Sequence, residues 1–473
     1  MRTRVPLWLV IGALLTGALP GTARAQESGE AYFAFLTARR LEAAGNEDGA
    51  RRALERAAAA DPASAEVRAE MAEFHLRQDD REAAEREALA AVELNPDNVG
   101  GNRVLGLIHA AALDGLRGEG ASEQVAEHLR QAIAYLERAA AGADAATELS
   151  LHYTLGRLYI RNREPEKAVE TLARVLEQSP FSVDVRLTLA QAYASDEDLD
   201  GAIRTLDDIV DQVPAVAVSL AQYQDMAGRF DEAVENYTVA LELRPRDRAI
   251  KQARILALLK AMDYERAAAF AGDAARQHPN TRQFLQLQAQ ALFDGGNRSA
   301  AFALLEQAVR DAPDDTDTLF TLADLYNDVG RSNEAVQALR RVVAADPRHA
   351  NALNYLGYLL AVRGESLDEA IDLVQRALEQ EPENGAYLDS LGWAYFKRGD
   401  FAEAEQYLTA AAERLPENSE VQDHLGDVLA RRGRLAEAIA AWTRALEGDG
   451  QDVETAAIER KISDARTRVQ DAR

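Results

Sequence analysis

The chain has no cysteine. That excludes disulfides, thiolate metal sites and a cysteine nucleophile, and it leaves the compartment open, because a helical protein needs no covalent staples. Lysine is nearly missing as well: five residues of the 53 that are basic, against 79 acidic ones, for a formal net charge of −26. So acidic a chain has no basic stripe for phosphate, which opposes nucleic-acid binding and adsorption to anionic lipid. Also absent are an H-E-x-x-H pair among the seven histidines, a G-x-S-x-G elbow and a G-x-x-x-x-G-K-[ST] loop. Acidic pairs such as Asp207-Asp208 are what any acidic helical surface carries. No catalytic residue, cofactor or metal is therefore expected. His75 and His109, which hold the same place in adjacent copies of the pattern below, read as packing residues rather than as a metal pair, since two ligands without a third make a weak site.

What the chain does have is a period. Leu356-Gly357, Leu391-Gly392 and Leu425-Gly426 place glycines 35 and then 34 residues apart, each followed by an alanine in a second segment (Ala370, Ala404, Ala438). In one copy the apolar residues from Gly357 onward fall at helical spacing, and Gly364 suits the left-handed geometry that ends a helix. A second helix carries Ala370, Leu373, Val374 and Ala377, and the Glu381-Pro382 step closes it. Where the two helices cross, only a small side chain lets them come close.

Aligned on the small residue, the copies fall at Ala38, Ala72, Gly106, Gly156, Ala190, Ala221, Ile255, Ala289, Ala323, Gly357, Gly392 and Gly426. The partner in the second helix is alanine in all twelve, from Ala50 and Ala84 to Ala404 and Ala438, and ten of the thirteen prolines fall at the repeat-closing position. The pattern resembles the tetratricopeptide repeat. The expected fold is all-α: a right-handed α-solenoid of about twelve helix-turn-helix repeats over residues 26–447, with a C-terminal capping helix in 448–473.

Departures from the rule are few. Gly106 and Ala132 are 26 residues apart instead of 12, so an insertion is expected around 110–131, either as a neutral edge loop or as a partner contact. A shortfall of three residues before Ala221 predicts a short, apolar first helix near Ala215–Leu220, and Ile255 should widen its crossing. Tyr32, Phe33 and Phe35 read as packing of the end repeat. After Glu447, the apolar residues Val453, Ala457, Ile462 and Val469 read as a capping helix, with a charged tail as the other reading. Residues 1–25, with Arg2 and Arg4, the apolar run Leu7–Leu19 and Ala23-Arg24-Ala25, have the form of a secretory signal peptide cut before Gln26. An uncleaved anchor is the alternative. No cysteine follows the cut to take a lipid, so the mature protein is expected in a bacterial periplasm.

In tetratricopeptide proteins the groove residues lie three before the small residue and one and four after it. By that resemblance the partner-binding groove is lined by Phe320, Asp324 and Asn327; Asn354 and Tyr358; Asp389, Trp393 and Phe396; and Asp423 and Asp427. Arg39, Arg103, Arg157 and Arg161, with Tyr153, line the N-terminal half. Such a groove implies a non-catalytic scaffold or adaptor that takes a protein or peptide. The Lys/Asn/Arg clamp with which chaperone-binding members hold a C-terminal carboxylate is not matched. The C-terminal copies are similar to those of proteobacterial envelope proteins, among them a lipoprotein that delivers substrates to a periplasmic protease. Roles in polysaccharide export or envelope assembly, or as an enzyme with a site inside the groove, stay open.

Overall fold

The computed structural model describes residues 20–115, 121–143, 145–450 and 453–471, and among them all regular structure is helical. The expected leader lies outside the described residues up to position 19. The chain folds as two compact units, one ending at Arg246 and one starting at Asp247. In the first unit the paired helices are α1 (Pro20–Ala43) with α2 (Glu47–Ala60), α3 (Ala65–Arg77) with α4 (Arg81–Leu94), α5 (Val99–Ala112) with α6 (Ala121–Gly142), α7 (Ala145–Arg161) with α8 (Pro165–Gln178), α9 (Val183–Ser195) with α10 (Leu199–Asp207), and α11 (Ala217–Met226) with α12 (Phe230–Leu243). The second unit pairs α13 (Arg248–Lys260) with α14 (Tyr264–Gln277), α15 (Arg282–Asp294) with α16 (Arg298–Asp311), α17 (Thr316–Asp328) with α18 (Ser332–Ala345), α19 (Ala350–Arg363) with α20 (Leu367–Leu378), α21 (Gly385–Arg398) with α22 (Phe401–Arg414), and α23 (Ser419–Arg431) with α24 (Leu435–Glu447). A last helix, α25 (Thr455–Asp471), follows.

The crossing expected from the sequence is the organising contact. All twelve second-helix alanines are 0% exposed. Four residues beyond each alanine a larger side chain usually leans onto the small residue of the first helix. A methyl built on Gly106 would lie 2.6 Å from Leu136, on Gly156 2.5 Å from Leu172, on Gly357 2.5 Å from Val374, on Gly392 2.6 Å from Leu408, and on Gly426 2.4 Å from Trp442. These side chains therefore occupy the space a Cβ would take. Copy seven reverses the arrangement: Ile255 is fully buried in the first helix, and Ala271 stands where the larger residue of the second helix would be. Volume is exchanged across the crossing, so the expected widening has a local remedy.

Copy ends are as regular as copy centres. The seventh residue after the small one has positive φ in eleven of the copies, glycine in seven (Gly399 at φ 98) and Asp79, Arg163, Glu197 and Met262 in the others. Some closing-proline carbonyls are held by side chains of the next helix: Asn102 Nδ2 on Pro96 (2.8 Å), Arg186 Nε on Pro180 (3.2 Å) and Gln422 Nε2 on Pro416 (3.2 Å). Such bonds satisfy acceptors that the broken helix would leave unpaired.

Where the sequence departs from the rule, so does the structure. The first helix of copy six is short, a single 3-10 turn at Pro214–Val216 and then the ten residues of α11. The insertion in copy three is a correction to the expected loop: most of it is helix, because α6 has 22 residues and begins well ahead of Ala132. In α25 the buried stripe is Ile458, Ile462 and Ala465, while Ala457 and Val469, and Val453 just ahead of the helix, are only half-buried. The stripe packs against α24, and the rest of the helix faces outward with charged residues, as a cap requires.

If the glycine seats set the stability of the stack, Gly357→Ala should cost about 1–3 kcal/mol in chemical denaturation, the penalty of overpacking. Gly29, on α1 with nothing within 4 Å of a built methyl, is the control. Gly29→Ala should be neutral or stabilising by up to ~1 kcal/mol, the helix propensity difference.

Candidate functional site

Groove positions recur at fixed places on the first helices, and in the second unit these helices present them to one another. Tyr355 Oη donates to Asp324 (3.3 Å), and Phe320 stacks on His349 with ring centres 5.4 Å apart. Tyr358 Oη reaches across two copies to Glu420 (2.5 Å). The first helices thus form one continuous face, and its lining can be read in order.

From α17 to α19 the face is accessible. Asp324 is exposed, while Phe320, Asn327, Asn354 and Tyr358 are half-buried. The Oδ1 of Asn354 is a buried acceptor with no partner in the chain. This stretch combines aromatic surface with an amide and a carboxylate, the pairing that grips main chain and apolar side chains of a peptide.

From α21 to α25 the expected lining is largely consumed. Asp389, assigned to the groove, is 5% exposed, and both its oxygens lie 3.0 Å from Nδ1 of buried His424. Trp393 stacks on that imidazole at 3.9 Å and on Phe396 at 4.9 Å. The physical reason is a shared cluster: burial disfavours a charged imidazole, but Asp389, with Glu420 and Asp423 beyond it, outweighs burial and raises the His424 pKa. Asp423 and Asp427 are gripped by the chain itself. Lys461 of α25 lies 2.8 Å from Asp423 Oδ1 and 2.7 Å from Asp427 Oδ1, and Trp442 Nε1 donates to Asp427 (3.1 Å). Burial pushes the Asp423 carboxyl up and Lys461 pulls it down, with burial the larger effect. Neither carboxylate is free for a partner. His424, Glu420 and Lys461 escaped sequence reasoning, though Lys461, one of five lysines and facing an acidic copy, was the available signal.

In the first unit three of the four arginines expected to line the groove are also paired. Arg39 is near Glu70 (3.8 Å), and Arg103 is bonded to Glu73. Arg161 donates to the carbonyl of Leu113 (3.0 Å) and approaches Asp114, so it braces the turn after α5. Arg157 is exposed, and Tyr153 bonds Thr188 (3.2 Å). Between α3, α5 and α7 lies a cavity of about 470 Å³ whose lining includes Leu76, Val104, Leu107 and Leu151 together with Glu73, Arg77 and Arg103. Arg77, which the repeat rule did not single out, holds Glu42 through two bonds of 2.8 and 3.0 Å. Among the described residues no group of three or more His, Cys, Asp or Glu is arranged to hold a metal ion, and no helix is long and apolar enough to cross a membrane.

Signatures of the tetratricopeptide repeat match residues 41–101, 153–217, 320–385 and 390–453, together more than half of the chain. The chain belongs to the tetratricopeptide repeat family. A TPR repeat-containing protein of Pseudomonas aeruginosa is 34% identical over 158 residues, which is 33% of this chain and 26% of that one, so the likeness spans about a quarter of the relative's length. Among solved structures, yeast Tom70 is similar at 16% identity, with a TM-score of 0.46 over 94% of this chain and 97% of its own. The Cut9–Hcn1 assembly of APC/C gives 13% and 0.40 over 94% and 92%. Naa15/Naa10 bound to HypK gives 15% and 0.44 over 88% and 68%. The protein is an all-α tetratricopeptide solenoid, a fold that generally mediates protein–protein interaction.

His424→Ala leaves Asp389 buried without its cation and should cost about 3–5 kcal/mol. Because the His424 pKa is raised in the folded state, the pair's contribution is full below the ordinary value of 6.5 and declines as pH rises through the higher folded value. Denaturant midpoints of wild type and variant, measured from acid to alkaline pH, should therefore converge at the alkaline end.

Proposed function

We propose that this protein is a non-catalytic adaptor of the bacterial envelope that holds a protein or peptide partner on the face formed by its first helices. One observation carries the reading: the stretch Phe320, Asp324, Asn327, Asn354 and Tyr358 keeps aromatic and polar side chains at least partly at the surface, while the neighbouring lining is packed. The leader-like residues 1–25 support export to the periplasm, with outer-membrane association through a partner. Delivery of substrates to a periplasmic protease is the specific role we favour, from the likeness of the C-terminal copies to envelope adaptors.

Reversing the charge at Asp389 would confound binding with folding, so the test belongs at Asp324 and its neighbours. A photo-crosslinking residue placed at Asp324 or Phe320 in intact cells should trap a defined partner, and the same residue at Gln337, exposed on α18, should not. Asp324→Lys combined with Phe320→Ala should then lower that capture at least about ten-fold, the loss of one anchor pair, with the melting temperature unchanged. Equal capture from Gln337, or full capture by the double variant, contradicts the face assigned here.

A further inference from the structure

The insertion of copy three sets His128 against His109, a pair of facing histidines that recurs in no other copy among the described residues. His109 sits on α5, and His128 on the added turns of α6 ahead of Ala132. Their Nδ1 atoms are 2.9 Å apart. The ring centres are 5.1 Å apart, close to the largest separation such a contact allows, so the two nitrogens point at one another. Two lone pairs aimed along one line do not converge on a metal, but they share a proton well. Tyr135, two turns further along α6, stacks parallel to His109 (10°, 5.8 Å) and fixes its ring.

A shared proton makes the contact conditional. With both rings neutral, one Nδ1–H donates to the other Nδ1. With one ring charged the bond persists as imidazolium to imidazole and is stronger. A second proton puts hydrogen on both facing nitrogens and two like charges in contact, so the bond is lost. The added part of α6 depends on this contact: of Ser122–Leu129 only Leu129 is buried and Val125 and His128 half-buried, and the other side chains are exposed.

We propose that the His109–His128 pair is a one-proton latch that holds the added turns of α6 against α5 at neutral pH and releases them in acid. The charged groups acting on His109 are His128 and Glu127 from α6 and Glu85 from α4. Burial and then His128 lower its pKa more than the two carboxylates raise it. Glu127 is itself engaged by Gln131 and Arg130. The sign follows. Since the folded pKa of His109 lies below the ordinary 6.5, the unfolded segment binds more protons below that value, and the latch weakens as pH falls through the interval between the two. A chain exported beyond the cytoplasmic membrane would meet such changes of external pH directly.

Hydrogen exchange of the full-length protein, corrected for the intrinsic pH dependence of exchange, reads this out. Peptides covering residues 121–130 should lose about ten-fold or more of their protection between about pH 7.5 and about pH 5, while those from α4 keep theirs. In His128→Phe, protection of 121–130 should no longer change with pH. Unchanged protection in wild type, or the same pH dependence in His128→Phe, overturns the latch. Should the variant misfold, imidazole NMR titration of wild type decides: one of the two rings must titrate below 6.5, and two ordinary titrations refute the shared proton.

Discussion

Everything in this molecule rests on one steric exchange: a first-helix residue with little or no side chain, and a second-helix residue four places past an invariant alanine that fills the space above it. The contact is short-range and repeats every 34 residues or so, so each hairpin is stabilised by itself and by its neighbours rather than by a central core. Interiors packed to crystal density tolerate neither an extra methyl nor a missing one. That is why Gly426 lies under Trp442, the bulkiest of these residues, and why Ile255 is matched by Ala271.

A face made of first helices is the by-product of that exchange. Its lining is free to vary because the crossing does not use it, and the second unit shows two outcomes on adjacent copies. Around α17 and α19 the lining keeps polar and aromatic groups at the surface. Around α21 to α25 the same positions close on themselves through Asp389 and His424 and through Lys461 between Asp423 and Asp427. A buried charge pair is a poor source of stability but a good one of registry. The closed end thus fixes how the last copies and the cap sit together.

The fold was legible in the sequence for a physical reason: the small residues, the alanines and the prolines each report a backbone constraint, and backbone constraints leave fixed spacings. The short helix of copy six was legible as a missing three residues. The site was legible only as a set of positions. Spacing says that Asp389 and Asp324 share a face, but whether each is covered depends on what the next copy offers, and His424 and Lys461 stand outside the groove positions. The added turns of α6 were not legible, since the 26-residue spacing of Gly106 and Ala132 reports the length of an insertion and not its conformation.

A double-mutant cycle in copy seven tests the steric exchange most directly. Ile255→Ala should cost about 2–5 kcal/mol through the cavity it leaves, and Ala271→Leu about 1–3 kcal/mol through overpacking. Combined, they restore the arrangement of the other copies, and the double variant should be more stable than either single one, with a coupling of roughly 1–3 kcal/mol. Additive losses in the double variant would mean that the two side chains do not share one space, and the account of the stack would fail with them.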